Sequence, residues 1–184
     1  MFLTISEILS LGIITVVLGY IFSGFIQRPR DPYEIHQKFN WKDLQYAAII
    51  AAPAVILHEM GHKFMAMSFG LEATFYVFWL GLVIAVALKL FNSPLLILAP
   101  AYVAFSATAS PLQGGLIAFA GPAMNLLIWG FSALVLKYRK NMSQREMYGW
   151  AISKKLNFFF FWFNLIPIPP LDGWSVMDGI IGLF

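Results

Sequence analysis

His58-Glu59-Met60-Gly61-His62 lies inside an apolar stretch, residues 47–70, of a chain that has three histidines in all. On a helix, residues i and i+4 share a face, so both imidazoles reach one metal ion. Glu59 falls on the adjoining angle, near that metal yet free to act as a base. A charged group at the centre of a membrane costs about 2.5–3.5 kcal/mol on insertion scales, so a His-Glu-His set in such a stretch marks a functional site.

The surroundings of the motif are those of a membrane protein. Of 184 residues, 60% are hydrophobic and 11% charged, and the mean hydropathy is +0.75. Soluble domains carry about 25% charged residues. Residues 8–27 form an uncharged run long enough to span a bilayer. It is too long for a signal-peptide core and has no basic residue before it, so a retained helix is expected. Ten of the twelve basic residues fall in two polar loops, Arg28, Arg30, Lys38 and Lys42 in one, Lys137, Arg139, Lys140, Arg145, Lys154 and Lys155 in the other. The positive-inside rule accounts for this pattern, and no recognition motif points to nucleic acid.

The expected fold is an all-α polytopic membrane protein, one domain over residues 1–184, with about six transmembrane segments. The first covers residues 2–26, the second 44–69 with Gly70 as its C-cap, and the third 74–90. Prolines 94, 100 and 111 with Gly114 and Gly115 break up residues 95–119. That leaves room for a short re-entrant or β-like element there, buried or lining a cavity. Residues 121–138 read as a helix with Pro122 near its start. Residues 156–184 form a last segment interrupted by Pro167, Pro169 and Pro170. Both basic stretches belong on the cytoplasmic side, and either two or four crossings between them satisfy that.

The chain has no cysteine, which excludes disulfides, thiolate catalysis and thiolate metal sites. A metal must be held by histidine and carboxylate, and catalytic zinc often takes two histidines and one carboxylate, leaving a position for water. His36 sits in a charged loop and reads as solvated. Asp172 follows Pro167, Pro169 and Pro170, whose missing backbone donors distort the chain; it is the expected third ligand. Asp178 is the other carboxylate of that segment and reads as an interfacial polar residue. The run Phe158-Phe159-Phe160-Phe161-Trp162-Phe163 covers every helix face and reads as packing and lipid-facing surface.

Three motifs together resemble the site-2 protease family of intramembrane zinc metalloproteases. They are His58-Glu59-Met60-Gly61-His62, then Gly121-Pro122-Ala123-Met124-Asn125, then Asn164-Leu165-Ile166-Pro167-Ile168-Pro169-Pro170-Leu171-Asp172-Gly173. The family carries a helix-borne His-Glu-x-x-His, a Gly-Pro-x-x-Asn segment and an Asn-x-x-Pro-x-Pro-x-x-Asp-Gly signature in that order. The resemblance covers roughly residues 44–173, the implied catalytic core. This chain is similar to a compact prokaryotic form without a PDZ or CBS domain.

The resemblance implies a Zn2+ protease of the cell membrane, multi-pass, that hydrolyses peptide bonds of transmembrane protein substrates in the lipid bilayer. His58, His62 and Asp172 would hold the metal, and Glu59 would be general base to zinc-activated water. Asn125 would lie near the metal and hold the substrate or the developing oxyanion, while Asn164 opens the proline-containing stretch. An extended element at residues 113–119 would pair with substrate by strand addition. Two other classes fit part of the pattern. A metal or proton transporter would use the same groups as a relay but gives no reason for glutamate at position 59. An inactive scaffold would have no need for His58, Glu59, His62 and Asp172 together. Substrate identity and oligomeric state are not written in the sequence.

Overall fold

Ser110, Pro111 and Gln113 show how local chemistry shapes this protein. Ser110 Oγ accepts from the Gln113 N–H at 3.3 Å, Gln113 Oε1 accepts from the Ser110 N–H at 2.9 Å, and Pro111 occupies the first helical position. This capping box starts a helix where the glycines and prolines read as breaks. A computed structural model describes residues 3–29, 40–91, 93 and 101–182. Among them the elements are α1 (Ile5–Phe22), α2 (Trp41–Ser68), β1 (Ala73–Val77), α3 (Trp79–Leu90), β2 (Ala101–Phe105), α4 (Pro111–Tyr138), α5 (Gln144–Asn164) and α6 (Asp172–Ile181). His36, the charged residues 30–38 and residues 94–100 lie outside the described part.

Three helices, α1, α2 and α4, are long and apolar enough to cross a membrane. α2 is the most enclosed of them and carries the paired histidines. Small residues on its flank, Ala47, Ala51 and Ala54, let Ile14, Leu18 and Ile21 of α1 pack closely, and all six are buried. Gly70, at φ +73°, ends α2: its N–H donates to Met67 O at 2.9 Å and the Leu71 N–H to Ala66 O at 3.1 Å. This satisfies the last carbonyls of the helix. The outer faces remain apolar, with Ile5, Leu9, Val16, Leu127 and Phe131 all exposed, a surface that suits lipid and not water.

The fold departs from the sequence expectation in three places. It is mostly helical but not all-α, because the third apolar segment divides into strand β1 and a helix α3 of 12 residues. β1 pairs antiparallel with β2, Phe75 opposite Val103 and Tyr76 opposite Tyr102, and the two tyrosine rings stack at 5.6 Å. β2 lies in the 95–119 window left open for such an element. Residues 113–119, expected to be extended, are helical, and Pro122 sits inside α4, not near its start. The second basic stretch is largely helix too: Ser143 and Glu146 form a capping box at the head of α5, which carries Lys154 and Lys155 within it. The Ser143 N–H, then its hydroxyl and Arg139, hold the Glu146 carboxyl below the usual carboxylate range.

A buried ion pair ties the N-terminal helix to α2. Glu7 and Lys63 are each 2% exposed and bonded to one another. Glu7 Oε1 also accepts from the Phe75 N–H of β1 at 2.7 Å, and Oε2 from the Thr4 N–H at 2.8 Å. One carboxylate thus joins α1, α2 and β1, with Lys63 directly beside His62. Removing one partner of a buried pair costs about 3–5 kcal/mol. Lys63→Met is therefore expected to lower the thermal unfolding midpoint of the detergent-solubilised protein. An unchanged midpoint would show that the pair does not hold these elements together.

Candidate metal centre

His58 and His62 stand one turn apart on the buried side of α2, and Asp172 begins α6. Residues 165–171 leave α5 without forming a helix and deliver Asp172 to α2. His58 Nε2 lies 3.1 Å from Asp172 Oδ2, His62 Nε2 lies 3.5 Å from Asp172 Oδ1, and the two Nε2 atoms are 3.1 Å apart. Ligands about 2.0–2.2 Å from a tetrahedral zinc stand roughly 3.3–3.5 Å from one another. The Nε2–Nε2 distance and the nearest Asp172 oxygen to each histidine come close to that spacing, the two histidines meeting different oxygens of the one carboxylate. Asp172 Oδ2 is buried with no hydrogen-bond partner among the described residues, a state that costs free energy unless a cation completes it. Among the described residues this is the one group of three potential ligands whose atoms converge.

The far side of each imidazole fixes its tautomer. His58 Nδ1 faces Asn125 Oδ1 at 2.7 Å, and His62 Nδ1 faces the Ile117 carbonyl at 2.7 Å. Both partners are acceptors, so both Nδ1 atoms carry the proton and donate it. Each Nε2 lone pair is then left pointing at the shared centre. Pro122, inside α4, has no N–H to donate to the carbonyl of Ala118, the neighbour of Ile117.

Glu59 is buried and lines the same cavity, but it does not belong to the converging triad. That separates a base from the ligands, as the motif spacing requires. The cavity holds about 940 Å³ and is lined in part by β2, with His58, Glu59, His62 and Asp172 in its wall. Asn164 also lines it, and its amide donates to Phe160 O at 3.0 Å, closing the end of α5. Asp178 lines the cavity away from the triad.

Asn125 is engaged differently from the substrate-holding role the resemblance implies. Its Nδ2 donates to Ala54 O at 2.8 Å and to Asn157 Oδ1 at 2.9 Å, so both amide hydrogens are taken. As placed, the side chain holds His58 and offers no free donor to an oxyanion. Sequence reading did not single out Asn157 or the Ile117 carbonyl. The only local hint of Asn157 was an amide set beside an aromatic run.

The model of peptidase family M50 matches residues 46–146, more than half of the chain. The matched part contains His58, Glu59, His62 and Asn125; Asp172 lies beyond it and joins them through the fold. A protein of Methanocaldococcus jannaschii named "Putative zinc metalloprotease" is 28% identical over 174 residues, covering 93% of this chain and 83% of its own length. A Bacillus subtilis protein of the same name is 28% identical over 153 residues, 75% of this chain and 70% of that relative. No solved structure matches the chain.

Proposed function

The chain belongs to peptidase family M50, the site-2 protease family, and on that premise we propose that it hydrolyses peptide bonds of transmembrane protein substrates within the bilayer. The observation that carries this reading is the convergence of His58 Nε2, His62 Nε2 and the Asp172 carboxylate in the wall of a cavity that Glu59 also lines. These three residues would hold Zn2+, whose chemistry when bound is to polarise a carbonyl and make water acidic near neutral pH. Glu59 takes the proton of the attacking water at its carboxylate and later gives it to the leaving nitrogen. Asn125 and the Ile117 carbonyl hold the imidazoles in the tautomer this requires.

The substrate must leave its helix before it is cut, because a helix commits its carbonyls to internal hydrogen bonds. β2 supplies a template for the extended form. Ala101, Tyr102, Val103 and Phe105 line the cavity, and among the described residues β2 has a strand partner on one edge only, β1. A substrate segment adding to the other edge would present its carbonyls beside Glu59. This role replaces the one expected of residues 113–119. The three apolar helices would anchor the site in the bilayer, with α5 and α6 packed against α4.

The test is metal content and cleavage of a transmembrane reporter by purified wild type and Asp172→Asn. Zinc sites bind with about 10–16 kcal/mol over four ligands, so losing one ligand costs roughly two to three orders of magnitude in affinity. Wild type is expected to carry one zinc and cleave, and Asp172→Asn to do neither at limiting metal. Zinc-loaded wild type that leaves every transmembrane reporter intact, or an Asp172→Asn protein with wild-type affinity, would overturn the reading.

A further inference from the structure

We propose that Asn157 is a positioning residue for the metal centre, acting through Asn125 on His58. The inference rests on the metal-binding half of the function proposed above and extends it to α5. Asn125 and Asn157 are both 0% exposed, so neither amide can turn to water for a partner.

The chain of bonds has one polarity. Asn157 Nδ2 donates to the Ser153 carbonyl one turn back at 2.8 Å and lies 3.4 Å from Ser153 Oγ. Ser132 of α4, itself fully buried, donates to that hydroxyl at 3.3 Å. With its nitrogen anchored on α5, Asn157 must turn Oδ1 towards Asn125. That oxygen takes one hydrogen of the Asn125 amide at 2.9 Å, and Ala54 O takes the other at 2.8 Å. Asn125 therefore presents Oδ1 to His58 Nδ1 at 2.7 Å, and His58 must donate there. The Nε2 lone pair facing His62 and Asp172 follows from where the Asn157 nitrogen is tied.

The alternative orientation shows what the tie prevents. If the Asn125 amide rotated by a half-turn, its NH2 would meet His58 Nδ1. The imidazole would then accept at Nδ1 and carry its proton on Nε2, where a metal cannot bind it. Against wild-type Asn157 and Ala54 the flipped amide would set oxygen against two acceptors, a costly arrangement in a dry interior. Without the Asn157 acceptor only Ala54 O opposes the flip. Asn157 thus selects the binding tautomer of a histidine it never touches. The position is also distinct from the cap formed by Asn164, whose amide bonds the backbone of its own helix.

Residues that hold a metal-ligating histidine typically change metal affinity by about 10–100-fold when lost. Acting one bond further out, Asn157 should sit at the lower end. The experiment measures zinc affinity by chelator competition and the visible spectrum of the cobalt(II)-substituted protein. Asn157→Leu matches the side chain in size without its polar atoms, Asn157→Ala is a second apolar variant, and Asn157→Asp, neutral in this dry interior, has an O–H for the Ser153 carbonyl and keeps the acceptor facing Asn125. Either apolar variant is expected to bind zinc about tenfold more weakly and to shift the cobalt bands, with Asn157→Asp restoring both. A folded Asn157→Leu or Asn157→Ala protein with wild-type zinc affinity and cobalt spectrum overturns the proposal. So does an Asn157→Asp protein as impaired as Asn157→Leu. A purely structural role would lower the unfolding midpoint and leave the cobalt spectrum unmoved. Because the readout is metal binding, wild type that binds zinc but cleaves nothing defeats the protease reading alone. Wild type that binds no metal defeats both.

Discussion

On the proposed mechanism, Glu59→Gln is expected to lose nearly all hydrolysis and to keep its affinity for metal. Glutamine matches glutamate in shape, so the buried packing of position 59 is preserved, and Glu59 contributes none of the three converging ligand atoms. What changes is the ability to take a proton from water and return it to the leaving nitrogen. General acid–base groups are worth about 10²–10⁴-fold, and one residue serving both steps belongs at the upper end. The expected result is a kcat for a transmembrane reporter reduced by about 10³–10⁴-fold, with zinc content and affinity as in wild type. The pairing of the two measurements matters. Lost activity with lost zinc would make Glu59 a ligand, and retained activity with retained zinc would leave the chemistry without its base.

The convergence of His58, His62 and Asp172, the proposed metal ligands, was legible because each part has a local signature. Two histidines four apart on an apolar helix can only face the same way, and three prolines ahead of Asp172 forbid a regular helix through it. The resemblance implied an extended element at residues 113–119, and Gly114, Gly115 and Pro111 look like punctuation, yet Pro111 is at the one position where proline helps a helix begin, and Ser110 with Gln113 caps it. The Ser143–Glu146 box that opens α5 was equally present in the sequence, but Lys154 and Lys155 drew attention to charge instead of helix chemistry. β1 was hidden inside an apolar run whose length suggested a span; Thr74, Phe75, Tyr76 and Val77 carry β-branched and aromatic side chains, but the strand's partners lie 24 to 32 residues away, Val77 opposite Ala101 and Ala73 opposite Phe105 by way of α3. The bonds from Lys63 to Glu7 and from Asn125 to Asn157 span 56 and 32 residues. No spacing rule reaches that far, so these contacts appear only once the helices are assembled.

Gly121→Ala is expected to weaken metal binding by another route, volume. The motif containing Gly121 was readable, but not why its first residue has no side chain. α2 and α4 cross with their backbones close together: a Cβ at Gly61 would lie 2.6 Å from Ala120 O and 2.7 Å from Met124 Cγ. A Cβ at Gly121 would lie 2.7 Å from His58 Nε2 and nearer still to His62 Nε2 and Cε1. Those nitrogens are the proposed ligands, so a single methyl group meets the site at its donor atoms. The imidazoles have little room to yield, because their Nδ1 atoms are held at 2.7 Å by Asn125 and Ile117. The helices cannot separate without losing the contacts around Gly61 as well. Ligands must stay within about 0.5 Å of their working positions to hold a metal. Zinc affinity is therefore expected to fall by at least about a hundredfold, roughly 2.7 kcal/mol, and overpacking to destabilise the protein by about 1–3 kcal/mol. Gly130→Ala on the same helix is the control, since a Cβ there meets nothing within 4 Å. If chelator competition gave Gly121→Ala and Gly130→Ala the same zinc affinity, the crossing of α2 and α4 would not be what shapes the metal site.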